Sequence, residues 1–360
     1  MPMLLAYLAT WEPYAFESLP VEKLSHLCYA FAVIRDGELD LPGAFSGDAA
    51  ALAQQEAVMQ QMLALRARNP ALQILISVGG WSADGFSDAA LTAESRAKLV
   101  ASGLAFIRRY GLNGIDLDWE YPSNDMAGIR ARPQDRQNFT LLLQDFRQAL
   151  DAESCSAARP AARPYLLSIA AGAGQYYLDG VEIGPVAAAC DFINLMTYDF
   201  YNGWATRAGH HANLYPPAHE PTADSAAGAV ALYVANGVPR EKLVLGCPLY
   251  GRSLQGVAAP GLGAAGQAGS NAAPGFAKIR PLLADGRWQQ QRDPVARAPW
   301  LYDGDTFISY EDEISIAEKG AFARAEGLAG AMFWELSEDD DQRLLTALHA
   351  ALYAEQGYCL

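Results

Sequence analysis

Short apolar runs recur along the chain with amphipathic segments between them. They are MLLAYLA (3–9), LCYAFAVI (27–34), LQILISVGG (72–80), GIDLDWEY (114–121), YLLSIAAGA (165–173), FINLMTYD (192–199), KLVLGCPLYG (242–251) and LAGAMFWEL (328–336). Runs this short and this apolar read as parallel strands buried on both faces. Between the third and fourth, Thr92 is placed to cap a helix in which Val100, Gly103, Leu104, Ile107 and Tyr110 recur every three to four residues, and Gly111 ends it. After the fourth, Pro133 opens a segment whose Phe139, Leu142, Leu143, Phe146 and Leu150 make one apolar helical face.

Eight strands alternating with helices predict an α/β fold, a (β/α)8 TIM barrel, with a doubly wound sheet as the alternative. The chain has 360 residues, against the roughly 250 such a barrel needs. The excess lies between strands seven and eight. There GVAAPGLGAAGQAGSNAAPG (256–275) reads as a mobile stretch and WLYDGDTFISYED (300–312) as a hairpin turning at Asp303-Gly304. The expected organisation is a barrel from 1–251 and 313–360 with a small α+β insertion over 252–312, an interdomain linker being the alternative.

Composition sharpens the picture. Half of the residues, 51%, are hydrophobic, enough for a large core, and 26 Lys plus Arg against 41 Asp plus Glu give a net charge of −15. That charge repels nucleic acid and anionic membranes, so neither is expected as a partner and a neutral substrate fits better. No apolar run reaches the roughly 18 residues that span a bilayer. Nothing resembling a leader precedes Trp11, so a secretion signal is either absent or already removed. Cys28, Cys155, Cys190, Cys247 and Cys359 form no C-x-x-C and read as buried thiols. A Cys155–Cys190 bridge is the one pairing left open, because both precede expected strands.

The chemistry concentrates in GLNGIDLDWEYP (111–122), where Asp116, Asp118 and Glu120 alternate with Ile115, Leu117, Trp119 and Tyr121. On a strand, alternate acids stand roughly 6.6 Å apart on one face. In a barrel the apolar face packs on the helices, so the acids step through the lumen toward the C-terminal mouth, where active sites of this fold sit. Adjacent buried carboxylates cannot all ionise cheaply, so one holds a proton near neutral pH and can act as a general acid. Glu120, outermost, is best placed to give that proton. A hydrated acidic face on an antiparallel sheet and a Mg²⁺ or Ca²⁺ site are the alternatives; no histidine pattern supports a metal.

GIDLDWEYP resembles the D-x-x-D-x-D-x-E signature of glycoside hydrolase family eighteen, the chitinases, except that Asn113 stands at the first acid. SVGGW (77–81), MTYDF (196–200) and MFWEL (332–336) resemble the family's elements on strands three, six and eight. AYLATW (6–11), YAFA (29–32) and GCPLYGRS (246–253) are similar to further family segments, so the likeness covers essentially the whole chain.

The resemblance implies hydrolysis of β-1,4 bonds between N-acetylglucosamine units with retention, the substrate's own acetamido oxygen replacing the enzymic nucleophile of ordinary retaining glycosidases. It also implies roles. Glu120 protonates the leaving oxygen, Asp118 holds the acetamido N–H, Asp116 tunes Asp118, Tyr198 donates to the acetamido oxygen and Asp199 binds the sugar beside it. Trp334 is a floor on which the sugar stacks, and Trp81 and Trp204 are platforms for following sugars. Tyr7, Phe31, Met196, Tyr250 and Arg252 line the cleft, and Ser77 supports the inner acids. No metal or organic cofactor, a monomeric state, chitin or its oligosaccharides as partner and a place outside the cell are the further expectations. A chitin-binding lectin on the same barrel, an endo-β-N-acetylglucosaminidase and a peptidoglycan hydrolase are the competing functions.

Overall fold

A computed structural model describes residues 2–160, 163–269 and 273–354. Eight strands, β1 (Met3–Ala9), β2 (His26–Arg35), β3 (Gln73–Gly79), β4 (Gly114–Asp118), β5 (Leu166–Gly172), β6 (Phe192–Met196), β7 (Leu243–Pro248) and β8 (Gly330–Trp334), coincide with the eight apolar runs. They hydrogen-bond in the order β1-β8-β7-β6-β5-β4-β3-β2, and β2 pairs in parallel with β1, which closes the barrel. The fold is the expected (β/α)8 barrel; a doubly wound sheet would have left two edges. A short strand, Glu38–Asp40, adds antiparallel to the far end of β2.

The helices follow their sequence signals. Thr92 caps Ala93–Tyr110 through a reciprocal capping box with Ser95, and Gly111 ends it in the left-handed region at φ 66. In Asp135–Ser156 the predicted face of Phe139, Leu142, Leu143, Phe146 and Leu150 is fully buried.

The chain divides into two compact units, one of Leu5–Asn194 with Val234–Leu243 and one of Met1–Leu4, Leu195–Tyr233 and Val244–Leu360. In the second unit, Arg252–Gln255, Gln267–Ala268, Gln289–Asp293, Ala298–Tyr302 and Phe307–Ser309 form a five-stranded antiparallel sheet, accompanied by the helix Phe276–Ala284. Leu254, Val257, Tyr302 and Phe307 pack into a small core of their own with Ala208.

Two details differ from the sequence reading. The hairpin at 303 uses a four-residue loop rather than a tight turn, because the Asp303 carboxylate accepts the backbone N–H of Asp305 and Thr306 at 3.1 and 2.7 Å. The Gly/Ala stretch is anchored rather than loose where described: Val257 is buried, Gly263 N–H donates to Ala208 O, and Gln267–Ala268 pairs with Arg252–Gln255. Residues 270–272 of that stretch, and Cys359, lie outside the described residues. Cys155 and Cys190 do not pair: both are free thiols, Cys155 exposed on its helix and Cys190 buried.

Candidate active site

The acidic series belongs to the unit of 5–194. Strand β4 is buried along its whole length. On its apolar side Trp119 stacks on Phe86 at 5.2 Å and meets Phe139 edge-on at 5.4 Å. On the other side exposure rises outward, from 0% at Asp116 through 4% at Asp118 to 8% at Glu120.

The strand stops earlier than its alternating pattern implies. Its ladder with β3 ends at Gly79 opposite Asp118, and Gly80 N–H takes the Asp118 carbonyl at 2.9 Å. Pro122 has no N–H with which to continue. Glu120 therefore stands on the segment just past the strand end, and simple strand spacing applies to Asp116 and Asp118 only.

Asp116 is fully buried in a cradle of donors from four other strands. Oδ2 accepts Ser77 Oγ at 2.7 Å and Tyr7 OH at 2.9 Å, while Oδ1 accepts Ser168 Oγ at 2.7 Å and Asn194 Nδ2 at 3.2 Å. Burial raises its carboxyl above the usual range and these four bonds oppose the rise. Asp118 is raised well above its ordinary value, first by burial and then by Glu120 and Asp116, and its Oδ1 has no hydrogen-bond partner. Burial and mutual repulsion therefore both favour keeping a proton within the series.

Around this core Phe31 stacks on Trp11 at 6.1 Å. Trp81, 45% exposed, is the first of a row of rings: its edge meets Tyr121 at 6.3 Å, and Tyr121 meets Tyr176 at 5.3 Å.

The remaining expected residues belong to the other unit. Tyr198 and Asp199 follow β6, whose last residue Met196 is half-buried like Tyr198. The Tyr198 ring stands edge-on to Tyr250 at 6.2 Å. Asp199, at φ 60, is gripped by Arg252: Nε donates to Oδ1 and Nη2 to Oδ2, each at 2.6 Å. His211 and Arg252 hold its carboxyl well below the usual range, against the effect of burial. The Arg252 guanidinium also lies 5.1 Å from the Tyr250 ring centre. Trp334 ends β8 half-buried, and its carbonyl accepts Leu249 N–H at 2.8 Å. Trp204 is 71% exposed on its loop.

Sequence reasoning assigned no role to Ser168, Asn194 or His211. His211 is fully buried, with Nδ1 3.8 Å from Asp199 Oδ1 and its ring 5.3 Å from Tyr250. Burial pushes its imidazole down to about 4, so it is neutral beside the ion pair. Trp11, Tyr121 and Tyr176 were equally unassigned, although Trp11 lies two residues past the end of β1, at the close of AYLATW. Among the described residues no group of three or more His, Cys, Asp or Glu is arranged to hold a metal ion, and no helix is long and apolar enough to cross a membrane.

Residues 3–339 match the profile of Glycosyl hydrolases family 18. Over 315 residues the chain is 40% identical to Chitinase A1 of Niallia circulans, an alignment covering 82% of this chain and 44% of that protein. It is 32% identical to Chitotriosidase-1 of Mus musculus, covering 94% of this chain and 73% of that one. Among solved structures, chitinase ChiW of Paenibacillus sp. str. FPU-7 superposes with a TM-score of 0.90 at 37% identity, over 99% of this chain and 44% of its own. A family 18 N-acetylglucosaminidase from Paenibacillus barengoltzii superposes with a TM-score of 0.87 at 38% identity, over 98% and 100%. The chain thus spans less than half the length of Chitinase A1 and of ChiW.

Proposed function

The chain belongs to glycosyl hydrolase family 18, and from that premise we propose that it hydrolyses β-1,4 bonds between N-acetylglucosamine units of chitin and its oligosaccharides by substrate-assisted, retaining catalysis. The observation that carries this reading is the buried, outward-stepping series Asp116, Asp118, Glu120, in which mutual repulsion and burial keep a proton on hand.

In the first step the acetamido carbonyl oxygen attacks the anomeric carbon, the glycosidic C–O bond breaks, and the proton of Glu120 passes to the leaving oxygen. Asp118 accepts a hydrogen bond from the acetamido N–H and offsets the positive charge of the oxazolinium ring that forms. In the second step water attacks the same carbon from the vacated side, giving its proton to the Glu120 carboxylate, and the ring reopens.

Tyr198 donates its hydroxyl to the acetamido oxygen and so aims it. Asp199, whose two oxygens each accept from Arg252, bonds the sugar through a remaining lone pair. Trp334 supplies the stacking floor, and Trp81 and Trp204, whose rings are exposed, offer apolar faces to further sugars. Residues 252–312 form the inserted α+β subdomain, and the enzyme works outside the cell, where polymeric chitin lies.

A second reading, release of single N-acetylglucosamine units, is favoured by the likeness to the Paenibacillus barengoltzii N-acetylglucosaminidase. Proton NMR and mass spectrometry during digestion of an N-acetylglucosamine hexamer test both. Newly released ends appear first as the β-anomer, and dimer as the main early product supports the chitinase reading, monomer the second. Early α-anomer, or activity abolished by chelator and restored by Mg²⁺, contradicts the mechanism.

A further inference from the structure

Asp116 touches no solvent, and its two oxygens receive four donors, two each, which fills the acceptor capacity of a carboxylate. The direction of these bonds is fixed. Asn194 Nδ2 donates to Tyr7 OH at 2.9 Å as well as to Asp116, so the Tyr7 hydroxyl proton is left pointing at Asp116. A proton added to Asp116 would have to displace one of the four donors. A proton added to Asp118 displaces nothing, because Asp118 Oδ1 is unpartnered.

The donors on the two oxygens are not equivalent. Oδ2 has two hydroxyls at 2.7 and 2.9 Å. Oδ1 has one hydroxyl, Ser168 Oγ at 2.7 Å, and an amide at 3.2 Å that is shared with Tyr7. Ser168 is thus the one short donor on that oxygen. It comes from β5, whose register sets Ser168 directly beside Asp116.

We propose that Ser168 is a positioning residue that acts through Asp116: its hydroxyl keeps Asp116 as the anion and so leaves the proton of the series to Asp118 and Glu120. The inference rests on the hydrolytic reading above. Without Ser168, Oδ1 keeps only the long, shared amide bond, Asp116 competes for the proton, and Asp118 is drawn away from Glu120. The titratable groups around Asp116 are Asp118 on its own strand and, through it, Glu120; Tyr7 on β1; Cys28 on β2; and Cys190 ahead of β6. Burial pushes both thiols up, so both are neutral over the working range and Asp118 is the direct competitor for the proton.

The test compares wild type with Ser168→Ala, Ser168→Cys and Ser168→Thr in two measurements. One is a carbon-13 NMR titration of the aspartate carboxyls in the full-length protein without substrate. The other is the pH profile of kcat/KM on an N-acetylglucosamine tetramer. Ser168→Ala should move the titration of one buried aspartate up by about one unit and carry the acid limb of kcat/KM with it. It should cost about tenfold in kcat/KM on the acid side, with KM changed less than about twofold. Ser168→Cys, a weaker donor of similar size, moves both the same way, and Ser168→Thr restores them. Unmoved titrations with activity scaled evenly across pH, or a Thr variant that behaves like Ala, overturn the inference. A titration shifted in Ser168→Ala, together with a wild type that cleaves no N-acetylglucosamine oligomer, leaves the role of Ser168 standing and sinks the hydrolytic reading instead.

Discussion

Asn113 stands where the family signature has an acid, and the structure gives that position a definite task. Its Oδ1 accepts Ile74 N–H at 2.9 Å and a bond from Arg66 Nη2, while Arg66 Nη1 reaches Gly111 O at 2.9 Å. The residue therefore ties the start of β3 to the start of β4, far from the acids at the other end. Partial burial disfavours the charge of Arg66, as does the neighbouring Arg159, and Asn113 offers it only a neutral partner. Replacing Asn113→Asp should stabilise the fold by about 1 kcal/mol in urea unfolding at pH 7, since a charge-assisted bond replaces a neutral one. The new carboxyl lies low in the folded state, so the gain is present above about pH 4 and fades as pH falls through its folded value. Unchanged or reduced stability at pH 7 would count against this assignment. The buried acidic series was legible from spacing and resemblance together, as was the contact of Ser77 with Asp116. Ser168 and Asn194 were not, because they lie 52 and 78 residues from Asp116 in sequence and only the strand register brings them to it. His211 was invisible for the same reason, lying in a loop whose pattern carries no signal of burial.

At the scale of elements, the barrel strands were readable because strands buried on both faces become continuous apolar runs bounded by turns. The end of β4 was not, since Trp119 and Tyr121 continue its alternation for reasons of their own packing after the ladder has stopped. One element contact is tight enough to test. On β7, a Cβ at Gly246 would lie 2.2 Å from Leu195 O, 2.9 Å from Met332 Cε and 3.0 Å from the Tyr198 ring. Gly246→Ala must push β6 and Tyr198 outward, at a cost of roughly 1–3 kcal/mol in stability. A displaced Tyr198 should lower kcat about tenfold or more. Normal kcat in a normally stable Gly246→Ala enzyme would show that Tyr198 needs no such close backing.

For the whole molecule, the buried carboxyls pull stability in one direction. Burial pushes Asp339 up to about 6, and raises Asp116, Asp118 and Glu311 as well. A folded value above the unfolded one means that folding takes up protons. The stability these groups contribute is complete below about pH 4 and is lost as pH rises through their folded values, between pH 4 and 6 for Asp339. Asp199 and Glu153 are held low, so their contributions are present above about pH 4 and are lost only in stronger acid. The net charge of −15 adds self-repulsion on the alkaline side. His26 and His211, each pushed by burial down to about 4, pull the other way between about pH 4 and 6.5. The net fall therefore belongs above that window, where the raised Asp118 and the buried thiols Cys28 and Cys190 act together with the net charge. At constant ionic strength the melting temperature should be a few degrees lower at pH 9 than at pH 7; equal values, or the reverse order, would contradict this ledger of buried groups.

The central claim is that Glu120 supplies and then recovers the proton. It is tested most directly by replacing Glu120→Gln, which keeps size and hydrogen bonding but removes that proton, and measuring turnover and binding of an N-acetylglucosamine hexamer side by side. Turnover should fall by about a thousandfold while calorimetric affinity stays within a few-fold of wild type. A variant that keeps most of its turnover would contradict the account.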